Sequence, residues 1–503
     1  MDIFRPDKKL FKKNYDSGKP QLLYSILSAD LNTPVSVLLK FKKEKYSFLL
    51  ESVEKGSNKG RYSVLGIKPD LIWKCKDKEC QIEQTINKKK STHIEKNRTP
   101  IESLKLLFKK NKFKIPENLP PMSSGLFGYL GYDMIKYFEN INLNNKDDLN
   151  LPESIFIRPT IMVIFDNVSD KLFIINTVWP NSDNSEKAFL DSLNQVKKIL
   201  VLISKPLNLF ANKHKKIDYS SKSLLKKVSS NTEFKQFKKM ITQAQKYIFS
   251  GFIFQVVLSR CFKKKISTSP ISIYRALRYL NPSPYLFFMN FDNFSIVGSS
   301  PEILVKLENG TVTIRPIAGT RKRGKDQKED LKLEKELLND PKEISEHLML
   351  LDLGRNDISR VTKPGTVKVT EQMFVEYFSH VMHIVSNING RIKDNTNNVD
   401  ALLGGFPAGT VSGAPKIRAM QIIEELEQSK RNIYAGAIGY LSANGNLDSC
   451  IALRTAVIKD KYIYIQSGAG IVADSDSRSE FKETENKAMA LLQAVIYSKN
   501  FEN

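Results

Sequence analysis

The sequence predicts an α+β protein, and three observations predict it. Strand-like runs come in pairs joined by tight turns, capped helical segments lie between those pairs, and no repeat of fixed period runs through the chain. In order, SFLLES (47–52), RYSVLG (61–66) and TIMVIFDNVSDKLFIINTVW (160–179) read as strands and hairpins, because β-branched and aromatic residues are bounded there by turn formers. NNKDDLNLPES (144–154) reads as a long surface loop and residues 185–202 as an amphipathic helix. LVKLENGTVTIRPI (304–317) is a hairpin whose Asn309-Gly310 pair suits a type I′ turn, in which both central residues need positive φ.

Three helix starts follow. Asp340-Pro341-Lys342-Glu343 and Ser477-Arg478-Ser479-Glu480 each offer a cap residue with Glu three positions on, and GTVSGAPKIRAMQIIEELE (409–427) starts a helix after a glycine-rich turn. A polar, Lys-rich stretch divides the chain into an N-terminal part (1–204), a linker (205–234) and a C-terminal part (235–503).

At 503 residues and 41% hydrophobic, the chain can bury a large core. The net charge of +24 is spread along the sequence, with no zinc-ligand spacing, RNP-like block or isolated recognition helix, so a basic nucleic-acid-binding protein is the weaker reading. Four dispersed cysteines make neither a disulfide framework nor a zinc site. Without an apolar signal core or a membrane-length apolar run, a soluble cytoplasmic protein is expected.

Glu343 with Glu346, and Glu480 with Glu483, are spaced i, i+3 and share a helix face. Capping explains Glu343 and Glu480; it does not explain Glu346 and Glu483, one turn further in. Should the two helices meet, four carboxylates converge and call for a hard dication such as Mg²⁺. His383 sits in an apolar alternating run, as a core histidine or as a proton-transfer group. Arg454, inside the apolar CIALRTAVI, needs an anionic partner. GGFPAGTVSGAPK (404–416) half-matches a Walker A loop, but Thr410 stands where its Lys belongs; backbone donors and a hydroxyl there suit a carboxylate. SGAG (467–470) is either a tight turn or a close backbone approach to a ligand, and IRPIAGTRKRG (314–324) resembles an anion loop with a solvated basic tail.

Together with LLES (49–52), GRYSVLG (60–66), FQVVLSR (254–260), NPSPYLFFM (281–289), GSSPE (298–302), PIAGTRKRG (316–324), EHLMLLDLGRND (346–357), GTVSGAPKIRAM (409–420) and ETENKA (483–488), these segments resemble the chorismate-utilising enzymes, in family order across residues 20–495. The resemblance implies that family's α+β fold, two packed antiparallel β-sheets with helices on the outside. It implies that Glu346 and Glu483 hold Mg²⁺, with Glu343 and Glu480 acting through water, and that Arg454 and Tyr434 grip the enolpyruvyl carboxylate, aided by backbone at Gly468, Ala469 and Gly470. Gly319, Thr320 and Thr410 would line the ring end, Glu302 would act as general acid, and His383 would take part in removing the C2 proton.

Two positions separate branches of the family. Members that add water carry a Lys base where this chain has Gln255, and members that make 4-amino-4-deoxychorismate carry a nucleophilic Lys where it has Ala318. Both point to the branch that makes anthranilate; the 4-amino branch is the alternative. By resemblance the N-terminal part is regulatory and interleaved with the catalytic core. Ser52, Pro284, Tyr285 and Leu286 would contact tryptophan as feedback inhibitor, with Leu286 replacing the family's common Met. The chain has no amidotransferase segment, so a separate glutamine amidotransferase subunit would supply ammonia within a hetero-oligomer, a heterotetramer.

Overall fold

The computed structural model describes residues 4–52, 60–86, 89–181, 183–207, 224–225, 227–378 and 381–502. Two strands, Tyr62–Lys76 and Ser154–Asp166, organise it. They pair antiparallel along most of their length, and each runs through two sheets. The pairing slips by one residue between Pro69 and Leu71, where Pro69 faces Pro159. Proline has no N–H to give the ladder, and the bulge bends the pair there.

On one side of the bend the first sheet continues from Tyr62–Lys76 to Ser47–Glu51, then Tyr285–Asn290, Phe294–Ser300, Thr455–Lys459, Tyr462–Ile471 and Gln255–Lys265. On the other side the second sheet continues from Ser154–Asp166 to Gly125–Leu130, Ala437–Ser442, Leu447–Ile451, Ile303–Glu308, Thr311–Ile314 and Val381–Arg391. The sheets pack face to face over one apolar layer, with Phe48, Val64, Phe287 and Ile296 from the first against Ile72, Phe127, Ile157 and Ile438 from the second. Helices cover the outer faces. Pro270–Leu280 and Ser477–Tyr497 close over the first sheet, and Pro100–Asn111, Pro341–Ser359 and Asn398–Gly404 over the second. No described helix is long and apolar enough to cross a membrane.

Several local expectations change. Residues 208–223 and 226 of the expected linker lie outside the described residues; its other end is ordered, because Val228–Ser230 pairs with Phe262–Lys264 and Leu224 is buried in the core. The cap of the last long helix is Asp476, whose carboxylate accepts from the N–H groups of Arg478 and Ser479, one residue before the expected Ser477. Glu480 therefore sits past the capping-box position and instead accepts a hydrogen bond from Ser475 Oγ at 2.9 Å. SGAG is no turn: all four residues continue the strand Tyr462–Ile471. The Asn309-Gly310 turn forms with both φ positive, +50° and +79°.

The sequence halves share their sheets, so they unfold together. Phe287, 1% exposed, lies between the sheets against Gly298, where an added Cβ would come within 2.1 Å of its ring. Phe287→Ala is expected to cost about 3–5 kcal/mol. Both tryptophans, Trp73 and Trp179, lie in the other half of the chain. Denaturant unfolding followed by their fluorescence should show the full loss in one transition; an unmoved tryptophan midpoint would show separate units.

Candidate active site

The strand ends and helix starts leave a cavity of about 430 Å³ between the edge of the first sheet and the helices Pro341–Ser359 and Ser477–Tyr497. It is lined by Gln255, Glu302, Gly319, Thr320, His383, Thr410, Tyr434, Arg454, Gly468, Gly470 and the four glutamates Glu343, Glu346, Glu480 and Glu483. Ala469 is the predicted residue that does not line it. Successive side chains on a strand face opposite ways, and its methyl packs with Phe237, Val256 and Leu258 on the far face.

Glycine is needed at two of these positions. A Cβ on Gly468 would lie 2.8 Å from Tyr434 Oη, and one on Gly470 would lie 2.5 Å from Gln255 Nε2. Gln255 is 4% exposed and its Oε1 is a buried acceptor without a hydrogen-bond partner among the described residues.

Glu302 follows the strand Phe294–Ser300 and is buried. Burial pushes its carboxyl up to about 8, against the opposing pull of a hydrogen bond that Thr410 Oγ1 donates to Oε1 at 3.1 Å and of the Arg454 charge. Glu302 is a neutral acid at pH 7.

His383 is neutral at that pH too, since burial lowers its imidazole to about 4. Its Nδ1 lies 3.0 Å from the Gly319 carbonyl and 3.0 Å from Thr320 Oγ1. A carbonyl can only accept, so Nδ1 carries the proton and Nε2 keeps its lone pair. The contact is possible because Gly319, at φ +75°, is the extra residue of a bulge between Ala318 and Thr320.

Arg454 sits between the strands Leu447–Ile451 and Thr455–Lys459 at φ +46°, a conformation unusual for a residue with a side chain. Its carbonyl accepts from Ser299 N at 3.2 Å. Burial lowers its pKa, yet among the described residues no carboxylate forms an ion pair with its guanidinium. A desolvated cation without a protein partner is built for an anionic ligand.

The glutamates line one side of the cavity. Glu346 is pushed up by burial and then by the charges of Glu343 and Glu483, and Glu480 by burial and by Glu483. Glu343 does not close a capping box: its oxygens take Arg321 Nη1 at 2.9 Å and Thr320 N at 3.2 Å. Glu483 pairs with Lys487 at 2.7 Å. No three acidic, His or Cys groups among the described residues gather closely enough to ligate one ion by themselves. The donor set still fits Mg²⁺, since hard oxygens that repel one another are relieved by a dication that keeps most of its waters.

Sequence reading missed Lys487, which lines the cavity and donates to the Gly468 carbonyl at 3.0 Å. Its signal was the i, i+4 spacing from Glu483 on one helix face. The basic tail of the 314–324 segment, expected to be solvated, is paired instead: Arg321 bonds Asp340 at 2.6 Å and Arg323 bonds Asp330 at 2.5 Å. The segment is mainly the strand Ile317–Lys322, with only Ala318, Gly319 and Thr320 of that strand's inner half beside Ile317 on the cavity.

A second cavity, about 490 Å³, lies between the sheets and is bordered by Ser52, Pro284, Tyr285 and Leu286 with Arg61, Lys306 and Asp448. Tyr285 Oη donates to Asp448 Oδ1 at 2.9 Å, while the Leu286 side chain belongs to the core beneath the outer helices.

Two packed antiparallel sheets around such a cavity define a class. The chain belongs to the chorismate binding enzyme family, whose pattern matches residues 47–493. Within it, the chain is 46% identical to anthranilate synthase component 1 of Cereibacter sphaeroides over 96% of both chains, and 46% identical to that of Acetivibrio thermocellus over 93% of both. Among solved structures it is similar to anthranilate synthase component I from Streptococcus pneumoniae TIGR4, with 36% identity, a TM-score of 0.74, and 87% of this chain and 93% of that one covered.

The unpaired cation gives a test that needs no ligand. Arg454→Met is expected to stabilise the ligand-free protein by about 1–3 kcal/mol, because it removes a desolvated charge that no ion pair among the described residues offsets. Urea unfolding of both proteins measures this; a destabilised variant would show that Arg454 has a protein partner after all.

Proposed function

We propose that this chain is the chorismate-aminating large subunit of an anthranilate synthase, acting in the cytoplasm with Mg²⁺ as cofactor, a glutamine-hydrolysing partner subunit as its source of ammonia and tryptophan as feedback inhibitor. The observation that carries the reading is the cavity wall: a neutral acid, Glu302, and a neutral base, His383, face the unpaired Arg454, with Gln255 rather than lysine beside them.

Chorismate is a dicarboxylate, and the cavity has two ends to receive it. Arg454, with Tyr434 and the close backbone at Gly468, takes the enolpyruvyl carboxylate in a charge-assisted contact. Mg²⁺ held by Glu346 and Glu483, with Glu343 and Glu480 acting through water, supplies the positive charge that lets the ring carboxylate approach four glutamates.

Ammonia adds at C2 with its own lone pair, so the neutral amide of Gln255 suffices where activation of water would need a base. As the C2–N bond forms, the C4–O bond breaks, and Glu302 gives its proton to the departing hydroxyl, which leaves as water; the added nitrogen, left as an ammonium, returns one proton to the Glu302 carboxylate. Nε2 of His383 then accepts the C2 proton while the C3–O bond breaks; the enolpyruvyl group takes up a proton and leaves as pyruvate, and the ring becomes anthranilate. Ala318 closes the covalent route, since a methyl group cannot attack the ring.

The purified chain, incubated with chorismate, Mg²⁺ and ammonium, should release fluorescent anthranilate and pyruvate in equal amounts. Isochorismate or a 4-amino product without anthranilate would overturn the reading. Glu483→Gln should lower turnover at least about 100-fold without rescue by excess Mg²⁺; near-normal turnover would remove Glu483 from the metal site.

The acid role fixes the sign of the pH dependence. Glu302 works only while protonated, so kcat/KM at constant free ammonia should fall as pH rises through about 8, while His383, neutral above about 4, adds no acid limb in the neutral range. For the second cavity, Ser52→Phe, which fills it, should raise the tryptophan concentration for half-inhibition about tenfold or more. Unchanged inhibition would place the inhibitor elsewhere.

A further inference from the structure

Behind the catalytic cavity lies an ion pair that does not itself line it. Arg431 and Glu427 are 2% and 6% exposed, and neither lines the cavity. Arg431 donates from Nε to Glu427 Oε2 at 2.9 Å and from Nη2 to Oε1 at 2.6 Å. Its remaining donors go to backbone, Nη1 to the Val411 carbonyl at 2.7 Å and Nη2 to the Val257 carbonyl at 2.6 Å. Glu427 Oε1 also accepts from the N–H of Ser259 at 2.7 Å and from its hydroxyl at 2.8 Å, and that hydroxyl accepts from Gln466 Nε2 at 2.9 Å.

The groups that this network ties together lie on three segments. Val257 belongs to the strand Gln255–Lys265, Gln466 to Tyr462–Ile471 and Val411 to the short turn Gly409–Val411. Val257, Gln466 and Thr410, the neighbour of Val411, all line the cavity. The guanidinium also lies over the ring of Tyr434, 5.5 Å from its centroid.

We infer that Arg431 and Glu427 form a positioning pair for the reaction, fixing the Gly409–Val411 turn so that the Thr410 hydroxyl meets Glu302. A buried ion pair is weak evidence of stability by itself, and a well-packed apolar pair often serves a core equally well. An apolar pair cannot bond carbonyls on two segments while its partner holds the Ser259 hydroxyl that takes up Gln466 of the neighbouring strand. Only a planar fork with five donors does this, and a lysine ammonium has neither the number nor the geometry. Without that anchor the Gly409–Val411 turn keeps its chain connections but not its register against Glu302.

The inference rests on the anthranilate-forming reading, and the experiment separates the two. Wild type, Arg431→Lys, Thr410→Val and the double variant are compared for kcat across pH at constant free ammonia. Because Thr410 donates to the charged form of Glu302, its loss should raise the pKa of that carboxyl, and Thr410→Val should move the alkaline limb to higher pH. Arg431→Lys should lower kcat about 10- to 100-fold and move the limb the same way, and the double variant should be no worse than the poorer single one. Glu427→Gln, which loosens the fork but keeps an acceptor for Ser259, should shift the limb too and serves if Arg431→Lys does not fold. Arg158→Lys, which breaks a buried pair with Asp70 away from the cavity, should cost stability with the limb in place.

Losses that multiply in the double variant, or an unmoved limb in Arg431→Lys and Glu427→Gln, would overturn the inference, because a purely structural pair lowers the rate at every pH without shifting it. A wild type that makes no anthranilate would instead refute the functional reading.

Discussion

The structure depends on desolvation at one cavity. Removing water there leaves Arg454 as a cation without an ion-paired carboxylate among the described residues, and the same removal keeps Glu302 protonated and His383 neutral. One physical cause thus keeps two groups neutral and leaves one cation desolvated. Flooding the cavity would ionise the acid and screen the cation at once, so the protein holds its walls rigidly. Gly468 and Gly470 bring a strand to within contact of Tyr434 and Gln255, and the bulge at Gly319 turns a carbonyl onto His383.

The fold supplies that rigidity through distance in sequence. The cavity gathers residues from positions 255 to 487, carried on different strands, turns and helices, and each wall is fixed by a neighbour in the ladder. Arg454 is tied by its carbonyl to Ser299, which stands beside Leu286 in the strand pairing, and Leu286 borders the second cavity. The two cavities therefore share one strand pair, Tyr285–Asn290 with Phe294–Ser300, as common structure.

Much of this was legible in the sequence where local chemistry decides the outcome. Asn309-Gly310 demanded its turn, Asp340-Pro341 its helix start, and the period-2 runs their strands. Glu346 and Glu483 stood out because capping did not explain them, and both face the cavity. What failed was whatever depends on partners distant in sequence. SGAG leaves a tight turn and a close backbone approach equally open until the Gln255–Lys265 strand pairs with it, and Arg321 and Arg323 look solvated until helix carboxylates reach them. Ala469 was grouped with its neighbours because the motif reads as a unit, whereas a strand sends alternate side chains to opposite faces. The Arg431–Glu427 pair gave no signal beyond an i, i+4 spacing, since its other hydrogen-bond partners lie on two segments distant in sequence.

The protonation state of Glu302 tests the account most directly. Infrared difference spectra between the wild type and Glu302→Gln, taken from pH 6 to pH 9, isolate the carbonyl stretch of that one carboxylic acid. The account predicts a protonated carboxyl at pH 7 that loses its proton around pH 8. A carboxylate already ionised at pH 6 would contradict it, leaving the cavity without its acid and Arg454 with a protein partner.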